Sequence, residues 1–525
     1  MGFLFGPKPD SGAGTTSTTA GTAPSVPTTP TVPSESAPTV STNGSGTTPD
    51  VTPPETIQVC STCNQVLVQF RPHAAYAGEF GFDWIRLGDT SMYGDALPYE
   101  DVSTIPTTYN MLGKYYEKSK VDKKGVVNYS VPITDTNGWK VCVTTTEDKV
   151  TKKKTKETKI VSYCKGTESI HWKVSPTQYS TLTQRFKTLS IPWKVKVDPK
   201  FNYYVPILTL LPDEEIDNGD GTFTVIQGNS AKLAVHIEVS IASSHIKLKP
   251  KRKDTGVAFR VDGIVSDNLT INAGVHDAHL EVRCTKALSS NLDVDIYADD
   301  KLCGRFTILQ NDSSVVVNKK ILLVKVESDF DINIANKIGS PKSGGKELLD
   351  NCLKQALIKA DIELYSSTLD VTSVKTKGKH EFRDKFCTGV KVKGKRVGPY
   401  KINKDAGKLL AYLNAKFKSQ FPKKRYDYVV YFIGESGNWN GFAQSPQKAG
   451  VYFPTHRKST IAHELFHAMG LPHTFTNSEA NSNAKFTYKA TMTNNLMDYS
   501  HFKHKPRFLT YHWQWKILNG RVPNA

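Results

Sequence analysis

The amino-acid sequence predicts a multidomain protein: a disordered Thr/Ser/Pro-rich N-terminal segment, β-rich, sandwich-like middle domains, and a C-terminal α/β domain. Three observations predict it. No aromatic residue falls between Phe5 and Phe70. From about residue 56 to 317 apolar residues recur with a period of two, and beyond about Lys319 strand-like runs alternate with helical ones. At 525 residues the chain exceeds what one ordinary core organises. The division expected is a short peptide (1–9), a linker (10–55), a β-rich domain (56–200), a β-sandwich-like domain (201–317) and an α/β domain (318–525).

Residues 10–55 are almost wholly Thr, Ser, Pro, Gly, Ala and Val. Such a stretch cannot bury enough apolar surface to offset its chain entropy, so it reads as an extended tether. In the next segment, Phe80, Phe82 and Trp84 alternate with Gly81 and Asp83, the pattern of a buried strand. The lysine-rich run Val150–Lys159 reads as an exposed hairpin tip. Leu233, Val235, Ile237, Val239 and Ile241 alternate with mostly polar or small residues, as do Leu292, Val294 and Ile296 with Asp293 and Asp295. Short strands of this kind imply a sandwich. Asp217–Thr222 reads as a hairpin turn, since it lacks the closing glutamate of a calcium loop. His276 and His279 would point to opposite faces of a strand and are not counted as ligands.

Past Lys319, Ile321–Val326 reads as a strand. Leu349, Leu353, Ala356 and Ala360 then mark one helix face, Ala406, Leu410, Leu413 and Phe417 another, and Tyr428–Ile433 a further strand. This region carries the charge: residues 321–525 hold 33 Lys/Arg against 16 Asp/Glu, so +17 of the total +18. A solvated lysine-rich face or attraction to acidic substrates, membranes or nucleic acid would account for it, and no nucleic-acid-binding motif accompanies it. No apolar run is long enough to span a bilayer, and Met1–Pro9 is too short in its apolar part for a secretory signal. The eight cysteines fall in sequence-adjacent pairs, which allows local disulfides, and only Cys60/Cys63 has CxxC spacing.

Chemistry concentrates in Ser459-Thr-Ile-Ala-His463-Glu464-Leu-Phe-His467-Ala-Met-Gly470-Leu-Pro-His473. On a helix, His463 and His467 project from one face and can share an ion, for which zinc suits the nitrogen donors. Ser459 or Thr460 can cap that helix and Gly470 can end it, turning His473 back as a third ligand. Three imidazoles leave a fourth position for water, with Glu464 beside it as general base. HExxH alone occurs by chance; the longer HExxHxxGxxH fixes five positions, including the glycine that the turn demands.

At these five positions, His463, Glu464, His467, Gly470 and His473, the sequence resembles the metzincin clan of zinc metallopeptidases. Asn495-Leu-Met497-Asp-Tyr499 looks like the clan's methionine turn. The resemblance implies that Met497 forms the base of the site and that Tyr499 stabilises the tetrahedral intermediate. It also implies that the C-terminal α/β domain is a metzincin-like zinc protease domain holding one catalytic Zn2+. Gly441–Gln444 and Ala449–Phe453 look like the clan's edge strand, which would bind substrate through Ala449, Gly450 and Val451 by strand addition. Leu509–Leu518, capped by Thr510 and closed by Gly520, looks like its C-terminal helix. The expected activity is therefore zinc-dependent endopeptidase cleavage of a protein or peptide substrate. A tether and two β-rich modules ahead of such a domain suggest delivery, as in a toxin or effector secreted or injected by a signal-peptide-independent, type VI-like route. Secretion-apparatus components would then bind residues 1–317, and no nucleic-acid partner is expected. A different reading makes the β-rich part a binding or adhesion protein with an accessory protease domain. A third makes the site a zinc hydrolase acting on other bonds.

Overall fold

A computed structural model describes residues 65–88 and, apart from several short internal stretches, residues 107–525. The N-terminal peptide, the linker, the Cys60/Cys63 pair and residues 148–153 of the lysine-rich tip lie outside the described residues. Those that are described form a mostly β protein with few helices, none of them long and apolar enough to cross a membrane.

Strands β1 (Gln65–Pro72), β2 (Gly81–Asp83), β3 (Ile207–Thr209), β4 (Ser230–Ile241), β5 (Ile246–Pro250), β6 (Val257–Asp262), β7 (Gly274–Cys284), β8 (Leu292–Ala298) and β9 (Lys301–Ile308) build two sheets. One has the order β1-β4-β7-β6, the other β5-β8-β9-β3-β2. Period-two patterning decides what faces inward. Val66, Val68 and Phe70 of β1 and Leu233, Val235 and Ile237 of β4 are buried in one cluster with Val294, Ile296, Phe306 and Ile308 of the other sheet. Phe70 meets Phe306 edge to face at 4.9 Å. The expected strand at Phe80–Trp84 is β2, with all three aromatic rings buried. The β1–β4 ladder runs from Val66↔Val239 to Pro72↔Leu233, so residues of the 56–200 and 201–317 segments share one sheet. Short helices at Thr108–Met111, Pro176–Thr183 and Pro192–Val197 interrupt the first of those segments. The turn between Asp217 and Phe223 closes a hairpin, as expected.

A second layered region follows, made of β10 (Val317–Ser328), α1 (Gly345–Gln355), β11 (Ile358–Leu364), α2 (Ala406–Gln420), β12 (Tyr428–Ile433), β13 (Gly441–Gln444), β14 (Ala449–Tyr452), α3 (Lys458–Ala468) and α4 (His512–Leu518). Strands β11, β10, β12 and β14 run parallel in that order, and β13 closes the row antiparallel to β14. Alternate residues again separate the two faces. Ile321, Leu323, Val430 and Phe432 pack with Leu349 and Leu353 of α1 and Ile461 and Leu465 of α3. Leu322, Val324, Val429 and Tyr431 pack instead with Leu410, Leu413 and Phe417 of α2. Helices thus cover both faces of the sheet.

The apolar cluster over α1 and α3 is continuous with the sandwich core. The side chain of Gln355, at the end of α1, sits in that continuity. Its Nε2 donates to Gly78 O (2.9 Å) and Phe508 O (2.7 Å), and its Oε1 accepts from Thr510 N (2.8 Å) and Oγ1 (2.7 Å). Its backbone carbonyl accepts from Thr209 Oγ1 at 2.7 Å. A buried amide with every position used joins β-rich, helical and C-terminal segments.

Several expectations need correction. The helix face read through Ala360 stops at Gln355, because Leu357 takes a left-handed φ of 55° and turns the chain directly into β11, which contains Ala360. The C-terminal helix begins at His512, where Gln514 Oε1 accepts from Tyr511 N, and not at Leu509. Cys284, Cys303 and Cys352 are buried thiols without disulfides.

Candidate metal centre

Helix α3 carries the first two histidines of the motif at the spacing expected. It starts at Lys458, with Arg457 N donating to Thr460 Oγ1 (3.1 Å), so the cap falls two residues before Ser459, the first of the two caps expected from the sequence. Gly470 takes φ 94°, a left-handed conformation that a side chain would strain, and the chain doubles back there. This brings His473 onto the same point as His463 and His467, and all three are buried.

The three rings converge through Nε2. His473 Nε2 lies 3.0 Å from His467 Nε2 and 3.3 Å from His463 Nε2, and the full set of donor atoms closes within 4.8 Å. The outer nitrogens explain the orientation. His463 Nδ1 donates to Leu496 O (2.8 Å) and His467 Nδ1 to Leu471 O (2.7 Å), which places the proton on Nδ1 and leaves a lone pair on Nε2. Burial pushes His463 well below the usual histidine range and His467 down to about 4, so both rings are neutral. Neutral imidazoles with convergent lone pairs can hold a metal ion.

Glu464 is fully buried, and neither carboxylate oxygen has a hydrogen-bond partner among the described residues. Burial raises its pKa to about 8, with the Arg507 guanidinium opposing the rise. Space for this side chain depends on Gly441: a Cβ there would lie 2.9 Å from Glu464 Cγ and 3.1 Å from Thr460 Cγ2. The first residue of β13 therefore cannot carry a side chain without displacing the carboxylate.

Below the rings, Asn495–Tyr499 forms a tight turn. Asn495 Oδ1 accepts from Met497 N (2.9 Å), and the buried Asp498 carboxylate accepts from Thr491 N (2.7 Å), Thr493 N (2.9 Å), Thr493 Oγ1 (2.7 Å) and Tyr499 N (2.6 Å). Met497 is fully buried in the main apolar cluster. The Tyr499 ring lies edge-on to His473 at 4.8 Å and 6.0 Å from His463. The structure thus brings His463, Glu464, His467, His473, Met497 and Tyr499 together.

Ala449, Gly450 and Val451 are placed differently. They lie on β14, which is paired on both sides, with β12 and with β13, and are buried. Their backbone is already used by the sheet, so strand addition is not open to them. Among the described residues β13 pairs with β14 alone, which leaves Gly441–Gln444 as the edge. The sequence reading also missed Arg507, Asp498 and the steric role of Gly441. Gly441 and Arg507 lie 23 and 43 residues from Glu464 in the sequence, and no local pattern links them to it.

Compared with known proteins, the chain matches no protein-family model and no curated protein sequence.

Proposed function

We propose that this protein is a zinc-dependent endopeptidase of metzincin type, with His463, His467 and His473 holding the ion and Glu464 acting as general base. The carrying observation is the pairing of three convergent Nε2 atoms with a buried carboxylate that has no hydrogen-bond partner among the described residues. Ligands about 2.0–2.1 Å from a tetrahedral zinc ion stand about 3.3–3.4 Å from one another. Two of the three separations, 3.0 and 3.3 Å, lie close to that value, and the whole set falls within 4.8 Å, so one ion can be reached by all three with a small adjustment of the rings. All-nitrogen donors of this softness suit zinc and not magnesium or calcium, which take oxygen.

A zinc ion bound there would act as a Lewis acid toward water and toward a substrate carbonyl. The chain's own residues supply the rest. Glu464 takes the proton from the attacking water and passes it to the departing amine, a task suited to a carboxylate that has no hydrogen-bond partner among the described residues. The Tyr499 hydroxyl, carried by a ring packed against His473, donates toward the oxyanion that develops at the scissile carbonyl. A peptide would lie antiparallel along the edge of β13, with its backbone paired to Gly441–Gln444. Leu496 O and Leu471 O hold the ligand rings in place.

The test is cleavage of an unstructured protein by zinc-loaded wild type and Glu464→Ala. Cleavage by wild type and a loss of at least about 100-fold in the variant, with zinc retained, supports the reading. Equal cleavage by both, or none by zinc-loaded wild type, refutes it.

A further inference from the structure

The Arg507 guanidinium is buried beneath the site, on the side of His463 away from the ligand nitrogens. Its Nη1 donates to Asp498 O (3.1 Å), the carbonyl in the middle of the methionine-containing turn. Its Nη2 donates to Ser459 Oγ (3.1 Å), on the first turn of α3 and four residues before His463. Nη1 also stands 3.3 Å from His463 Nδ1. That ring nitrogen already donates to Leu496 O at the shorter distance of 2.8 Å, and two donors cannot share one proton, so the Nη1–Nδ1 approach is a packing contact.

A buried cation next to a dication site is unfavourable on charge alone. The Asp498 carboxylate does not account for it, since that group is met by four donors from its own loop and from Thr491 and Thr493. The guanidinium also faces Glu464, whose ionised carboxylate offsets its charge, and beyond that charge its contribution is geometric. The turn is rigid within itself, and α3 is a separate element. The carbonyl that aims the His463 ring, Leu496 O, belongs to the turn, whereas the ring belongs to the helix. Arg507 reaches both at once, which a planar fork does and a single ammonium does not.

We propose that Arg507 is a positioning residue of the metal centre: by clamping the Asn495–Tyr499 turn to the start of α3, it holds Leu496 O where it orients His463 toward the ion. The proposal rests on reading the triad as a zinc site. Groups that orient a metal's ligands typically change affinity by about 10- to 100-fold when removed. Removing the guanidinium also takes one hydrogen bond each from Asp498 O and Ser459 Oγ, at about 1 kcal/mol apiece, so a modest loss of metal-free stability accompanies it.

The experiment uses the full chain as wild type, Arg507→Met, Arg507→Lys and Ser459→Ala. Zinc affinity is measured by chelator competition, the melting temperature on the metal-free proteins, and the ligand-field spectrum on the cobalt(II) forms. Arg507→Met is expected to bind zinc about 10- to 100-fold more weakly and to shift the cobalt bands, with its metal-free melting temperature within a few degrees of wild type. Arg507→Lys, which restores charge and one donor, recovers part of the affinity, and Ser459→Ala loses less than Arg507→Met. Wild-type affinity and cobalt bands in Arg507→Met overturn the proposal, as does a loss of affinity matched by an equal loss of metal-free stability. If Arg507→Met does not fold, unchanged affinity in both Arg507→Lys and Ser459→Ala overturns it. Wild-type protein that takes up no zinc fails the zinc reading itself, a result distinct from any of these.

Discussion

Two buried polar clusters in this protein have opposite hydrogen-bond economies. Around Gln355 every amide position is used, and the bonds tie α1 to Gly78, Thr209, Phe508 and Thr510. Around Glu464 the carboxylate oxygens have no partner among the described residues, and three imidazole nitrogens converge within 4.8 Å, His473 Nε2 standing at contact distance from the other two. Gln355 and Glu464 are both fully buried, so burial does not distinguish them. The first is arranged for the fold and the second against it, which is the mark of a site built for something other than protein.

The comparison can be broken by mutation. The largest contrast is between Gln355→Leu and Glu464→Gln. The first leaves three groups without their amide partner, the Gly78 carbonyl and the N–H and hydroxyl donors of Thr510, while Phe508 O keeps the Cys352 thiol as a donor. At about 1 kcal/mol or more for each, it should destabilise the protein by about 3 kcal/mol in denaturant unfolding, with the metal centre's affinity unchanged. Glu464→Gln removes an uncompensated buried acid and should leave unfolding stability equal or higher while abolishing turnover. If Glu464→Gln is the more destabilising of the two, the distinction fails. Next comes Gly441→Ala. The added methyl meets Glu464 Cγ at 2.9 Å, so catalysis should fall by about 10-fold or more while zinc affinity stays near wild type, since no ligand atom is touched. Equal kcat/KM in the two proteins would separate Gly441 from the site.

The smallest effect is a proton count. Without the ion, Glu464 has its pKa raised to about 8 and is protonated at pH 6, whereas His467, pushed down to about 4, is not. A dication beside Glu464 favours its anion, so zinc binding at pH 6 should release about one proton, and none in Glu464→Gln. Calorimetric titration in two buffers of different ionisation enthalpy measures it. Proton release in the variant equal to that of wild type would mean that the histidines, not Glu464, carry the titration.

The residues of the metal centre were legible because their spacing is local. His463 and His467 need only a helix, and Gly470 and His473 only the turn after it, so five positions within eleven residues describe the geometry. Strands such as Tyr428–Ile433 were legible for the same reason, since alternation is a property of neighbours. What was not legible depends on partners far along the chain. Whether β13 or β14 is the edge depends on strand order, and that order leaves Ala449–Val451 with no free edge for an added strand. Pairing of β1 with β4, across more than 150 residues, has no signature in either strand alone. Gln355, Gly441 and Arg507 look ordinary in sequence, and their roles exist only once Gly78, Glu464 and Asp498 have been brought beside them.

The central claim is that the three convergent histidines hold zinc, and it is tested most directly by elemental analysis of purified wild type and His467→Ala after zinc loading and exhaustive dialysis. The account predicts close to one zinc per wild-type chain and a large fall in the variant, because two imidazoles bind far more weakly than three. Zinc-free wild-type protein, or equal zinc in both, would contradict it.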